Sequence, residues 1–207
     1  MENPLILPEY QRLEPRAGSN ARSSVNLAVI EECEAVGEVA ALYDHFRNHF
    51  GRPQVPGILK CFATHPPLLR HMMALSESLL FAEGALGRRN KEMIATFVSS
   101  ANECAYCTDS HGYFLSMHGG SREVICALQA ADLVSPELTA AERVLLAFVQ
   151  KVSFHSNEVT AADIESLRHN NWNDLQIAEC IHITALFSTF NRVANAFGLP
   201  SQRLLEL

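Results

Sequence analysis

The chain has 207 residues, 48% of them hydrophobic and 19% charged, and a net charge of −7. This length and composition suit one domain, or two small ones, with an apolar core, and exclude a disordered chain. The acidic balance, without any polybasic or basic amphipathic segment, excludes electrostatic binding to nucleic acid or to an anionic membrane.

Residues 1–26 carry prolines, Arg, Asn and Ser without periodicity, so an extended N-terminal arm is expected there. The opening MENPLILPEYQRLEP has no basic n-region, long apolar run or small-residue cleavage site, and does not read as a signal peptide. Residues 27–207 read as a single helical domain. Val29–Phe50 has apolar residues three and four apart, with Gly51 placed to end it. A loop with Pro53, Pro56 and Gly57 follows, and His65-Pro66-Pro67 opens a helix over Leu68–Phe81, its prolines in the first turn. Gly84 and Gly87 precede a helix over Arg88–Glu103, and a cysteine-bearing helix runs to about His118 before Gly119-Gly120. Ser121 caps a short helix to Gln129. Capping boxes at Thr139-x-x-Glu142, Thr160-x-x-Asp163 and Asn173-x-x-Gln176 open three more, the last ending at Gly198. No alternating strand or hairpin signal interrupts this series, so the fold class is all-α.

The most apolar stretch, Ile177–Phe190, is interrupted by Glu179, His182 and hydroxyl residues, too polar for a membrane span. The expected location is the cytoplasm, where six cysteines do not imply a structural disulfide framework. Cys33, Cys61, Cys126 and Cys180 each stand alone and read as small buried hydrophobes.

The other two cysteines belong to a pattern. Glu92, Cys104, Cys107 and His111 form E-x11-C-x2-C-x3-H. On one helix, 100° per residue would place Cys104, Cys107 and His111 within a roughly 60° arc, and His111 one turn beyond Cys107. Cα atoms three residues apart lie about 5 Å from each other, close enough for a disulfide. A thiolate is the nucleophile of such a pair, but lowering its pKa gains little, because nucleophilicity falls too. Efficient peroxide cleavage also needs an acid to protonate the leaving oxygen, worth about 10²–10⁴-fold. His111, and Glu92 through the other thiol or a water, are the proton carriers, and the second thiol captures the sulfenic acid.

A C-x2-C pair also serves as a zinc half-site or as two core cysteines. Zinc is disfavoured because no second C-x2-C exists, and Cys104 and His118 would be about 21 Å apart along a helix. A c-type haem is excluded because Thr108 follows Cys107. Glu179-x-x-His182 resembles half of a helical di-iron motif without its counterpart. No metal and no cofactor is expected. A faint internal echo places Glu179 twelve residues before Asn191, as Glu92 stands before Cys104.

The segment RRNKEMIATFVSSANECAYCTDSHGYFL (88–115) resembles the core of the alkylhydroperoxidase D and carboxymuconolactone decarboxylase superfamily, and most closely the branch called uncharacterised peroxidase-related enzymes. VPGILKCFATHPPLLRHMMALSESLLF before it and ALFSTFNRVANAFG near the end resemble the same branch. The resemblance implies a helical fold built on a repeated helical motif, a thiol core within 88–118, and homo-oligomers with thiol sites near subunit contacts. It implies a thiol-dependent peroxidase that takes a hydroperoxide as substrate and a dithiol, thioredoxin-like or lipoyl reductant as partner. Cys107 would be the peroxidatic thiol, Cys104 the proton donor and resolving thiol, and Glu92 with His111 the proton relay.

Well-studied members have a second His between the cysteines, where this chain has Tyr106. A phenol with a pKa of about 10 is no base near neutrality, which lowers the expected strength of relay and peroxidase alike. Members that decarboxylate lactones lack the paired thiols, so the pair favours redox chemistry. The alternatives are a redox sensor or disulfide-exchange switch in a helical oligomer, and non-redox lactone or carbonyl chemistry on the same fold. Phe190-Asn191-Arg192 shares in the resemblance and reads as a network joining helices rather than as catalytic.

Overall fold

Nine consecutive residues of one helix, Lys91–Ser99, are buried, which only a helix enclosed by others sustains. This is α4 (Arg88–Ala101) in the computed structural model, which describes residues 25–206. The expected arm at 1–26 lies outside the described residues except for Val25 and Asn26. The other helices are α1 (Gly37–Phe50), α2 (Gly57–Phe62), α3 (Pro66–Ser76), α5 (Ala105–Met117), α6 (Arg122–Gln129), α7 (Ala140–His155), α8 (Ala161–His169) and α9 (Asp174–Phe197). No strand occurs among the described residues. Helices α5, α6, α7 and α9 pack on α4, while α9 also meets α2, α5, α7 and α8. One cluster of buried apolar side chains runs from Val39 on α1 to Phe190 on α9. None of these helices is long and apolar enough to cross a membrane.

Thr139, Thr160 and Asn173 all form the capping boxes that their sequence predicts, each such cap contributing about 1 kcal/mol. Gly51 and Gly198 end α1 and α9 in the left-handed region. Other boundaries differ from expectation for local reasons. Helix α1 starts at Gly37 rather than Val29, because the preceding turn is spent on tertiary bonds: Ile30 N–H donates to Lys60 O, and Glu32 Oε1 accepts from Val55 N–H at 3.0 Å. Within the expected proline loop lies the short helix α2, with Pro56 at its N-cap. Beyond Ser76, α3 gives way to a wider π-type turn over Glu77–Phe81. Of the four isolated cysteines, Cys61 and Cys180 are buried as expected, whereas Cys33 and Cys126 are exposed. Helix α6 explains the second case, since Val124, Ile125, Ala127 and Leu128 form its inward stripe and leave Cys126 outside.

A buried cation joins three parts of this frame. Lys91 Nζ, 1% exposed, donates to Leu79 O at 2.8 Å and Ala82 O at 3.0 Å, and pairs with Glu179 Oε1 at 2.7 Å. Glu179 Oε2 in turn accepts from Leu86 N–H at 2.6 Å. A Cβ at Gly84 would stand 2.0 Å from Glu179 Oε1, so only glycine lets the loop close over the pair. Removing one partner of a buried ion pair strands the other charge. Glu179→Ala is therefore expected to cost about 3–5 kcal/mol, read as a lower urea midpoint at unchanged slope.

Candidate active site

Helices α4 and α5 form a hairpin, and the pattern residues sit along it. Helix α4 ends at Ala101, Glu103 turns the chain through the left-handed region (φ 53°), and Cys104 is the N-cap of α5. Cys104 thus precedes the helix that carries Cys107 and His111, and the shared helical arc expected for all three holds only for the last two. The capping geometry brings the cysteines together, since Cys104 Sγ accepts the N–H of Cys107 at 3.4 Å. Cys104 is fully buried and Cys107 is 3% exposed.

Their environments separate the two thiols. The Cys107 thiol donates to Cys104, and this hydrogen bond, with the Cys107 N–H and the Asn191 side chain, holds the Cys104 pKa below the ordinary thiol value despite burial. The same hydrogen bond, reinforced by burial, pushes Cys107 far up. When the pair holds one proton, the charge rests on Cys104 at the positive end of α5 and the proton on Cys107. Six cysteines remain free thiols.

One turn beyond Cys107, His111 reaches across to α4, where its Nδ1 stands 2.7 Å from Glu92 Oε2. A carboxylate only accepts, so Nδ1 carries the hydrogen and Nε2 is left as the nitrogen able to exchange a proton. The imidazole is fixed by Phe187 edge-on at 4.5 Å and by Phe114 at 5.7 Å. Glu92 is fully buried, which opposes its charge, yet His111 and Arg88 hold its carboxyl below the ordinary range. Arg88, one turn earlier on α4, donates through Nε at 2.7 Å and Nη2 at 2.6 Å to Glu92 Oε1. The sequence pattern contains Glu92 and His111 but not this arginine, although its i, i+4 spacing was the available signal.

Asn191 is a second residue beside the thiols that the four-residue pattern does not contain. It is fully buried on α9, donates to Ser99 Oγ at 2.9 Å, accepts from Asn102 Nδ2 at 3.1 Å, and lies within hydrogen-bonding reach of the thiols. It joins helices as expected, and it does so at the sulfurs. Asn191 thus meets Cys104, while Glu179 serves Lys91 rather than the thiols. Tyr106 is buried against α2, accepting the Ile58 N–H at 3.4 Å, and burial pushes its phenol up, so it stays neutral. A cleft of about 420 Å³ opens beside Cys104, lined by Ser100, Glu103, Thr108 and Leu205 among others. Asp109, also on its wall, accepts the N–H groups of Leu204 and Leu205 and fixes the C-terminal turn there. Among the described residues, no three His, Cys, Asp or Glu side chains converge as a metal centre.

Comparison with known proteins bears on the frame of this site. The model of the carboxymuconolactone decarboxylase family matches residues 66–151, which include all four pattern residues. A crystal structure of an uncharacterized peroxidase-related protein from Silicibacter sp. TM1040 is 30% identical, with a TM-score of 0.74, covering 86% of this chain and 92% of that one. The chain belongs to the alkylhydroperoxidase D and carboxymuconolactone decarboxylase superfamily.

Another superfamily structure, an alkylhydroperoxidase AhpD core described as an uncharacterized peroxidase-related protein from Ralstonia eutropha JMP134, is 27% identical with a TM-score of 0.79. The match covers 90% of this chain and 97% of that one. The debrominase Bmp8, in complex with 2,3,4-tribromopyrrole, shares the fold at 17% identity and a TM-score of 0.69, covering 86% and 92%. No curated protein matches the chain significantly.

Proposed function

We propose that the protein is a thiol-dependent peroxidase that reduces hydroperoxides at the Cys104–Cys107 pair. The observation that carries this reading is the Arg88–Glu92–His111 chain, which ends one helical turn from Cys107. A disulfide switch needs the two thiols but has no use for an oriented proton donor held by a buried carboxylate beside one of them.

In the proposed cycle the Cys104 thiolate takes the Cys107 proton as the Cys107 sulfur attacks the terminal oxygen of the hydroperoxide. The O–O bond breaks, Cys107 becomes a sulfenic acid, and the departing alkoxide takes a proton from the His111 imidazole, made acidic by protonation from solvent. Cys104 then attacks the Cys107 sulfur, forming the disulfide and releasing water. A dithiol of the lipoyl or thioredoxin-like class supplies two electrons and two protons to reopen it. Such a cycle suits a reducing compartment, the cytoplasm above all.

Turnover tests the reading. With dihydrolipoamide, thioredoxin or glutathione offered separately as donors, many equivalents of peroxide should be consumed per pair. The donor-free protein should lose two daltons within the peptide spanning both cysteines. Consumption of one equivalent and no more would instead make the pair a switch. Activity that survives loss of both thiols would assign the site to non-redox chemistry.

We also propose a homo-oligomer. Leu75, at 43% exposure, borders an apolar groove of about 500 Å³ between α3 and α9 lined by Met72, Leu79 and Leu186. Light scattering at micromolar concentration should give at least twice 22.9 kDa, and a clean monomer would remove this proposal.

A further inference from the structure

Arg52 follows the Gly51 turn at the end of α1 and lies over the ring of Phe114, its Cζ 4.5 Å from the centroid. It makes no hydrogen bond or ion pair among the described residues, so its five N–H donors are uncommitted there. Phe114 shares α5 with Cys107 and His111, and its ring stands against His111. The guanidinium is thus at the far end of the α5 face that carries the peroxidatic thiol.

Charge in this corner departs from the rest of the molecule. Arg52 is exposed, and partial desolvation together with repulsion from Arg88 lowers its pKa. The carboxylate they face, Glu92, is already held by Arg88 and His111. Two arginines against one carboxylate leave one positive charge over, in a chain whose net charge is −7. The surroundings are aromatic. Arg88 lies over Phe81 at 4.7 Å, Phe81 packs on Phe50 at 4.8 Å, and Tyr113 borders Phe114 at 5.7 Å. One uncommitted fork-shaped donor within an aromatic rim suits a monoanion with an apolar body, and a carboxylate matches that fork in two parallel hydrogen bonds.

We propose that Arg52, with Arg88 behind it, anchors the carboxylate of an amphipathic organic hydroperoxide whose peroxide end reaches Cys107. Phe114 and Cys107 are two turns apart on α5, about 10 Å, which sets the separation between carboxylate and peroxide in the substrate. The proposal rests on the peroxidase reading and gives it a substrate class. The chemistry is the cycle above: the Cys107 sulfur takes the terminal oxygen, the other oxygen takes the His111 proton, and a hydroxy-carboxylate leaves. The anchor acts on KM before it acts on kcat.

Two measurements test this, one free of turnover. The first compares kcat/KM for the terminal hydroperoxide of decanoic acid with that for its methyl ester. The wild type should favour the acid about tenfold or more, the loss expected for a charge-assisted hydrogen-bond pair, and Arg52→Gln should bring the ratio near one. The second is calorimetric titration of the reduced protein with decanoate and, as a neutral control, decanol. Decanoate should bind about tenfold or more weakly to Arg52→Gln, and decanol equally to both proteins. If acid and ester are consumed at equal kcat/KM by the wild type, the anchor is overturned while the peroxidase reading stands. If neither peroxide is consumed yet decanoate binding depends on Arg52, the anion site stands and the peroxidase reading falls. Decanoate binding that ignores the Arg52 substitution overturns the anchor whatever the turnover.

Discussion

Cys107→Ser is expected to lower peroxide consumption by about three orders of magnitude, as removal of a nucleophile does. Cys104→Ser is expected to react once and stop, leaving a sulfenic acid on Cys107 that dimedone traps. The two variants differ because His111 stands one turn from Cys107 on α5, while Cys104 lies before the helix begins and about 5 Å further from that imidazole along the axis. Cys104 is the more acidic thiol, but acidity alone gains little when the leaving oxygen has no proton donor. In the Cys107→Ser protein, Cys104 should therefore label with dimedone about a hundredfold more slowly at equal peroxide. Folding does not confound the comparison. Serine is a better N-cap than cysteine, and its Oγ can accept the Cys107 N–H that Cys104 Sγ now takes. Preferential labelling of Cys104 would reverse the roles, and the cleft that opens beside it would then be the peroxide's route.

Much of the frame was legible in the sequence because its signals are local. Thr139 and Asn173 accept N–H groups three residues on, and Asp163 accepts the Thr160 N–H, so no distant contact has to be known to place these starts. Helix α2 is hidden in the sequence because Pro53 and Pro56 before it, with its first residue Gly57, also suit a loop. What selects the helix is tertiary, with Gly57 packed under Leu199 and the Tyr106 ring. The start of α1 differs for a similar reason, since the groups that hold residues 30–32 out of the helix are Lys60 O, which accepts the Ile30 N–H, and Val55 N–H, which donates to Glu32 Oε1.

At the site, spacing identified Glu92, Cys107 and His111 as a group that the fold could bring together, and the Glu92–His111 contact is present. Spacing alone did not reveal that Cys104 ends a turn rather than continuing a helix. Glu103 has to enter the left-handed region for that, which is uncommon for a residue other than glycine. Nor does a motif of four residues show Asn191 or Arg88. Asn191 comes from a helix 87 positions after Cys104, and Arg88 looks in sequence like an ordinary surface partner of Glu92. Burial of that carboxylate makes Arg88 part of the site.

Glu92→Gln is expected to slow the first oxidation of Cys107 about a hundredfold, with little change in the opening of the disulfide by a strong dithiol. A glutamine keeps the volume of Glu92 but removes the charge that fixes Nδ1–H of His111, so Nε2 no longer has a set protonation role. Arg88 loses its partner at the same time, at a cost of about 2 kcal/mol, because a quarter of its side chain remains in water. The pH dependence separates relay from scaffold. The folded Glu92 pKa lies below its unfolded value, so its charge stabilises the fold above the unfolded pKa, and that contribution is lost as pH falls through the folded pKa. Glu92→Gln should remove this component of acid destabilisation. Arg88→Gln should instead raise the Glu92 pKa and bring an acidic limb into the oxidation rate at a higher pH than in the wild type, with Arg88→Lys restoring part of the shift. Equal slowing of oxidation and of disulfide opening in Glu92→Gln, without any change in the pH profile of Arg88→Gln, would make the buried carboxylate a strut between α4 and α5 rather than the source of the proton relay.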